Sequence, residues 1–529
     1  MNRRRFSLIR GVLAVSGLAC ACAISAWANV GEVMPQAGTA SLKSTADHRK
    51  FKELNQEFRR AQEVTKACLK CHTEAAKQVH SSIHWKWSWE RAGGIGKKNA
   101  INNFCTSIIS NWCRCTSCHA GYGWKDDTFD FSSEENVDCL VCHDSTGTYK
   151  KFPTDCGDPV YEEKKFGDKV FKPVNLKEVA QHVSRPSRKN CGACHFFGGG
   201  GDGVKHGDLD SSLFAPPKSL DVHMDQTGLN YNCQRCHTTE RHHIQGRHYS
   251  DPAANDHKSA MPKDSPNRIA CESCHTERPH KKNQKMNDHT RKVACQSCHI
   301  PFFARKNPTV MFWDWSKAGK KSEDGKPIEV INKETGIAYS TMKGELHWAK
   351  NQVPEYFWYN GTMQHMKVGD KVTETNGPIQ LSRPLGSPTD PNSRIAPFKV
   401  HRGIQPYDPV NHLMVVPKLF GKPGTGAYWS DYDWMKAAEA GMKAAGLPFS
   451  GKLEFRETVT YWPLNHMVAP KEQSLKCEEC HSRNGRLRKL TGFYMPGRDR
   501  SQAIDLLGWI MVAVSGIGAS IHGLLRIFK

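Results

Sequence analysis

The sequence predicts a mainly α-helical chain with irregular loops, a small β-containing insertion at about 300–430 and a C-terminal transmembrane helix. Three observations lead there. The tripartite motif Cys-x-x-Cys-His occurs eight times, seven of them crowded into residues 68–299. Residues 300–476 then pass without another, and the eighth follows at 477–481. Finally, Leu506–Leu525 reads "LLGWIMVAVSGIGASIHGLL", with no Asp, Glu, Lys or Arg.

Each motif is the attachment signature of c-type haem: two thiols add across the vinyl groups and the adjacent histidine ligates the iron. The eight are Cys68, Cys71 and His72; Cys115, Cys118 and His119; Cys139, Cys142 and His143; Cys191, Cys194 and His195; Cys233, Cys236 and His237; Cys271, Cys274 and His275; Cys295, Cys298 and His299; Cys477, Cys480 and His481. A zinc site needs paired Cys-x-x-Cys units with no obligatory trailing histidine. Here every Cys-x-x-Cys carries one. The expectation is eight covalent haems in a multihaem c-type cytochrome fold. The crowded region is rich in Gly, Pro, Lys and Asn, so the haems form its core.

Outside the motifs, "PIEVINKETGIAYSTM" alternates around turn residues and predicts a hairpin. "MFWDWSK" and "EYFWYNG" are aromatic clusters expected to pack. "SDYDWMKAAEAGMKAAGLP" (430–448) predicts a helix capped by Ser430 or Asp431 and stopped at Gly446.

The ends set the compartment. Residues 1–28 have a basic start, an apolar middle and Ala26-Trp27-Ala28, a secretory signal cut after Ala28. Residues 29–502 are then the exported domain and 503–529 the anchor. The apolar run is long enough to span a bilayer, and Arg526 and Lys529 suit a cytoplasmic tail. The expected location is the periplasmic side of the inner membrane. Ser515, Ala519 and Gly523 recur every four residues, which suits a partner helix. His522 is either an interfacial polar residue or a ligand for a partner's chemistry.

A formal charge of +21 would ordinarily suggest nucleic acid or an acidic surface. Roughly sixteen haem propionates would offset much of it. No nucleic-acid module is readable, and the residual field suits a small anionic substrate.

Of 21 cysteines, five lie outside the motifs. Cys20 and Cys22 fall in the signal segment. Cys105, Cys113 and Cys156 remain, and a Cys105–Cys113 disulfide is the first pairing to expect, with a free thiol near sulfur chemistry as the alternative.

The segments "NNFC", "NW-RCTSCHAGYGW", "CLVCHDSTGTYKKFPT" and "GGGGDGVKHGDLD", together with the eight motifs, resemble the octahaem tetrathionate reductase family over most of the exported domain. That family is related in haem arrangement to hydroxylamine oxidoreductases and multihaem nitrite reductases. The resemblance implies that the second haem, on His119, is the reactive one, with a distal lysine from a downstream segment. In this sequence that is Lys150 or Lys151, in "TYKKFP". Seven distal histidines are then needed: His84, His206, His223, His242, His280, His289 and His466, with His80, His182, His243 and His248 as the nearest rivals. His48 lies ahead of the haem region. No Cys-x-x-Cys-Lys motif is present, and no tyrosine cross-link region is recognisable. A calcium ion near the reactive haem follows by analogy, with no readable ligand set.

These features imply a membrane-tethered reductase fed by a quinol-oxidising membrane subunit or another cytochrome. It would reduce tetrathionate, or nitrite or hydroxylamine. The alternative is a non-catalytic cytochrome that relays quinol electrons to another protein.

Overall fold

The computed structural model describes residues 44–88, 95–166, 169–246 and 269–529, which include all eight motifs. The signal peptide, its cysteines and His248 lie outside the described residues.

In the motif-rich half, helices are short and several start or end at a haem motif. Arg188–His195 and Cys295–His299 are examples. The helix Ala61–Leu69 runs into the first motif and buries Ala61, Val64 and Ala67. These pack with Tyr122, Leu140, Leu176 and Val179 in a small apolar cluster. Clusters of this size are islands, consistent with short helices arranged around large cofactors.

The region after the seventh motif corrects the expectation of a mainly α fold. It is a seven-stranded sheet, and it runs past 430 to Pro463. Its centre is the 15-residue strand Arg394–Asp408. This strand pairs antiparallel with Glu454–Pro463 and Glu355–Tyr359, and parallel with Thr309–Asp314. It is buried on both faces, so it lacks the alternation that marks a half-exposed strand. One face carries Phe398, packed against Phe357, Tyr359 and Tyr461. The other carries Lys399, His401 and Gln405, all buried. Across the ladder His401 pairs with Thr460 and Lys399 with Trp462.

The expected hairpin forms, with Glu329–Ile331 against Ala338–Ser340. The expected 430–448 helix is instead two: Tyr428–Asp431, then Trp434–Ala444. Its cap is Asp433, whose carboxylate accepts from the Met435 and Lys436 amides, and not Ser430 or Asp431. Tyr432 in the left-handed region separates the two. Past the eighth motif the chain is irregular until Gln502–Ile527, a 26-residue helix with mean hydropathy 1.8, exposed along its length. Its length and composition suffice to cross a membrane.

Candidate haem sites and the second motif

Two metal–imidazole bonds of about 2 Å each place facing ring centres roughly 6 Å apart. Seven of the eight proximal histidines meet a second histidine at that spacing. The pairs are His72–His48 at 6.4 Å, His143–His242 at 6.4 Å, His195–His84 at 6.0 Å and His237–His466 at 6.2 Å. His275–His223 at 6.0 Å, His299–His280 at 6.3 Å and His481–His289 at 6.1 Å complete the set. Ring orientation supports the same reading. The Nδ1 atoms of His143, His237 and His481 lie on the carbonyl oxygens of Ser184, Gln245 and Pro496, at 2.8, 2.7 and 3.0 Å. His289, His242 and His466 use Nδ1 likewise, toward Lys285 O, Gln78 Oε1 and Asp208 Oδ2. Such bonds fix the tautomer and leave Nε2 for a metal. The residues present therefore fit haem.

Two assignments change. His206 packs edge-to-face on Trp462 at 5.2 Å and does not oppose a motif histidine. His48 takes its place, set against His72 by the short turn His48–Lys50. It stands before the first motif, where no motif precedes it to suggest a role.

The motifs also touch one another. Thiols of the first and third, second and fourth, fourth and fifth, and sixth and seventh motifs are close neighbours. The third and fourth, fifth and sixth, and seventh and eighth sense one another electrostatically. The order is a line, 1-3-4-5-6-7-8, with the second motif branching from the fourth.

That second motif is the exception in ligation. Among the described residues, His119 is the one proximal histidine not faced by another histidine ring at this spacing. It is fully buried in a cage of Trp85, Trp87, Trp124, Phe129 and Phe131, with centroids 4.7–6.2 Å away. Nε2 donates to Trp85 O at 2.7 Å, and the buried Nδ1 has no partner. Burial holds His119 near 3, so the ring stays neutral.

The two predicted lysines differ in setting. Lys150 is exposed. Lys151 is buried, but its amine is saturated by Asp138 Oδ2 at 3.0 Å, His119 O at 2.5 Å and Gly121 O at 3.1 Å. The amine sits on the backbone side of His119. A different lysine has the expected character. Lys205 is half-buried, its Nζ lies 4.6 Å from the centre of the Trp462 ring, and its amine has no oxygen acceptor among the described residues. Burial, and next the charge of Lys97, bring it down to about 7, close enough to Cys118 to feel that thiol. It lies in "GGGGDGVKHGDLD", where the adjacent His206 was the residue that drew attention. The neighbouring Gly203, at φ +65°, lies 3.0 Å in Cβ terms from Pro308 O and leaves no room for a side chain.

The expected Cys105–Cys113 disulfide is also corrected: Cys113 bonds Cys156. The chain at 153–156 lies against the second motif, with Arg114 donating to Pro153 O and the Trp124 amide to Cys156 O. Cys105 remains a thiol, packed beside Phe104 and raised by burial.

A family model described as bacterial cytochrome c matches residues 310–484. A protein of Archaeoglobus fulgidus described as uncharacterized is 28% identical, over 34% of this chain and 74% of its own length. The crystal structure of an octaheme cytochrome c from Shewanella oneidensis superposes with a TM-score of 0.72 at 44% identity. That match covers 83% of this chain and 95% of the other.

Proposed function

The chain belongs to the octahaem c-type cytochromes, and on that premise we propose that it is a membrane-tethered reductase of a small anion, working at the second motif. The observation that carries this is the contrast in ligation among the described residues: seven histidine pairs, His119 opposed by none, and a half-buried lysine without an oxygen acceptor near Cys118. Haem held by the motif cysteines and histidines would supply one-electron transfer, and at the second motif it would supply the iron chemistry for reduction.

The chain's own residues do the rest. The histidine pairs hold their sites closed to other ligands. Lys205 is the lysine that would hold the second haem opposite His119, and as an ammonium it would attract an anion to the site. Lys97, Arg114 and Lys343 lie near the site's thiols and add positive field. The aromatic cage keeps water from His119. Tetrathionate fits as substrate, being cleaved by two electrons to two thiosulfates; nitrite and hydroxylamine fit the same charged pocket. The signal-like segment at 1–28 and the apolar C-terminal helix support a reaction on the periplasmic face of the inner membrane, fed by a quinol-oxidising membrane partner.

The test is a set of spectra of the purified holoprotein. Lys205→Ala should open the second site, with a high-spin signal and a stronger response to cyanide or nitrite, while Lys150→Ala is silent. Lys151→Ala altering the ligation while Lys205→Ala does not would move the ligand to Lys151. A wild type with no ligand response and no turnover would leave the relay cytochrome as the better reading.

A further inference from the structure

The stretch between the eighth motif and the C-terminal helix is a compact basic loop. Residues 482–501 read "SRNGRLRKLTGFYMPGRDRS", with six arginines and lysines against one aspartate. Arg498 closes the loop, donating to the carbonyl oxygens of Leu487, Leu490 and Phe493 and pairing with Asp499. Leu487, Leu490 and Met495 are buried against Tyr356 and Ile395 of the sheet. What stays outside is charged or aromatic. Arg483, Arg488 and Arg500 are exposed, and none of them pairs with a carboxylate among the described residues. Lys489 is exposed, with Glu355 at 3.7 Å, and Tyr494 is 67% exposed.

Two contacts fix this loop to the eighth motif. His481 Nδ1 lies on Pro496 O at 3.0 Å. Gly497, at φ +84°, passes so close to the His481 carbonyl that no side chain fits there. Only residues 497–501 separate Pro496 from Gln502, where the apolar helix starts. A chain spans at most about 3.5 Å per residue, so the helix begins within roughly 25 Å of the His481 ring. Trp509, 73% exposed, lies about two turns into it. Trp and Tyr favour the membrane–water boundary, which suits Trp509 and Tyr494. Basic residues on the exported side of a span run against the usual bias toward the cytoplasm, so insertion does not account for them. Anionic lipid headgroups do, since each Lys or Arg held close to them gains from their charge.

We propose that the 483–500 loop rests on anionic phospholipid headgroups through Arg483, Arg488, Lys489 and Arg500, and so seats the eighth motif at the membrane surface. This rests on the membrane-tether reading given above. The contact is screened by salt and reversible by itself, so the helix anchors the domain and the loop orients it. The eighth motif is one end of the line 1-3-4-5-6-7-8, and the second motif branches from the fourth. Seating that end at the bilayer turns the line toward a quinol-oxidising partner, with the seventh, sixth, fifth and fourth motifs between it and the spur.

The experiment places the full-length holoprotein in nanodiscs of phosphatidylcholine alone, or of phosphatidylcholine with phosphatidylglycerol, and follows hydrogen–deuterium exchange by mass spectrometry. The protein should co-elute with both discs through its helix. Peptides from 483–500 should exchange about fivefold more slowly in the anionic discs, and about 0.5 M salt should abolish the difference. Arg483→Gln, Arg488→Gln, Lys489→Gln and Arg500→Gln together should abolish it too, with the haem spectrum unchanged. Should that variant not accumulate, the salt arm on the wild type gives the same answer. Equal exchange in the two discs, as expected if the arginines serve haem propionates, overturns the proposal and leaves the tether standing. Slowed exchange in native membranes but in neither disc assigns the loop to a protein partner and overturns the lipid assignment. Failure to co-elute with either disc removes the tether reading and this proposal together.

Discussion

At Lys151 the amine meets a carboxylate and two carbonyl oxygens; at Lys205 it meets the face of Trp462 and no oxygen acceptor among the described residues. The two lysines look alike in sequence. What separates them is long-range packing: Asp138 approaches one, and the Glu454–Pro463 strand supplies Trp462 to the other. Asp208 is a second residue whose role only packing reveals. Its buried carboxylate accepts from the Asn465 and His466 amides at 2.7 and 3.0 Å and lies 3.2 Å from His466 Nδ1. Burial works against its ionisation, yet these partners hold it below the usual carboxylate range. Asp208→Asn should cost about 1.5–3 kcal/mol, the worth of a hydrogen bond to a charged group. Differential scanning calorimetry checks that, and redox titration should show one haem potential displaced with all ligation kept. The proximal histidines and their cysteines were fully legible, because the motif is local and covalent chemistry dictates its spacing. His48 was not, since a distal ligand is defined across space and nothing in its own neighbourhood marks it.

Elements tell a similar story with a different cause. The short helices around the motifs carry little periodicity, and their existence follows from the motifs. The Arg394–Asp408 strand was hidden because "RIAPFKVHRGIQPYD" mixes polar and apolar residues on two buried faces. A strand with Lys399 and His401 in its interior is legible only once the strands packed beside it are known. Its apolar face can be tested directly. Phe398→Ala removes a ring wedged between Phe357 and Tyr359 and should cost about 3–5 kcal/mol, measured by thermal unfolding of the holoprotein. The Cys113–Cys156 bond staples the second motif to the segment that carries Lys151. Cys113→Ser with Cys156→Ser should cost about 2–4 kcal/mol, with the unfolding midpoint as readout, and leave the histidine-paired haems spectrally intact. That pairing was beyond sequence reading because three cysteines offer three choices and proximity along the chain favoured the wrong one.

The whole molecule combines a basic chain with an apolar tail. A protein ending at residue 501 should partition into the soluble fraction with its haem spectrum unchanged, and cell fractionation checks it. Retention in the membrane would point to a second attachment. The order of the motifs in space was invisible in their order along the chain, since the second and third exchange neighbours. A line of seven with one spur has a consequence for timing. The fourth motif is a three-way junction, so reducing equivalents can accumulate on both long arms while the spur is waiting. A chemistry at the spur that takes two or six electrons would then draw on a filled reservoir, and partly reduced intermediates would have little time to escape.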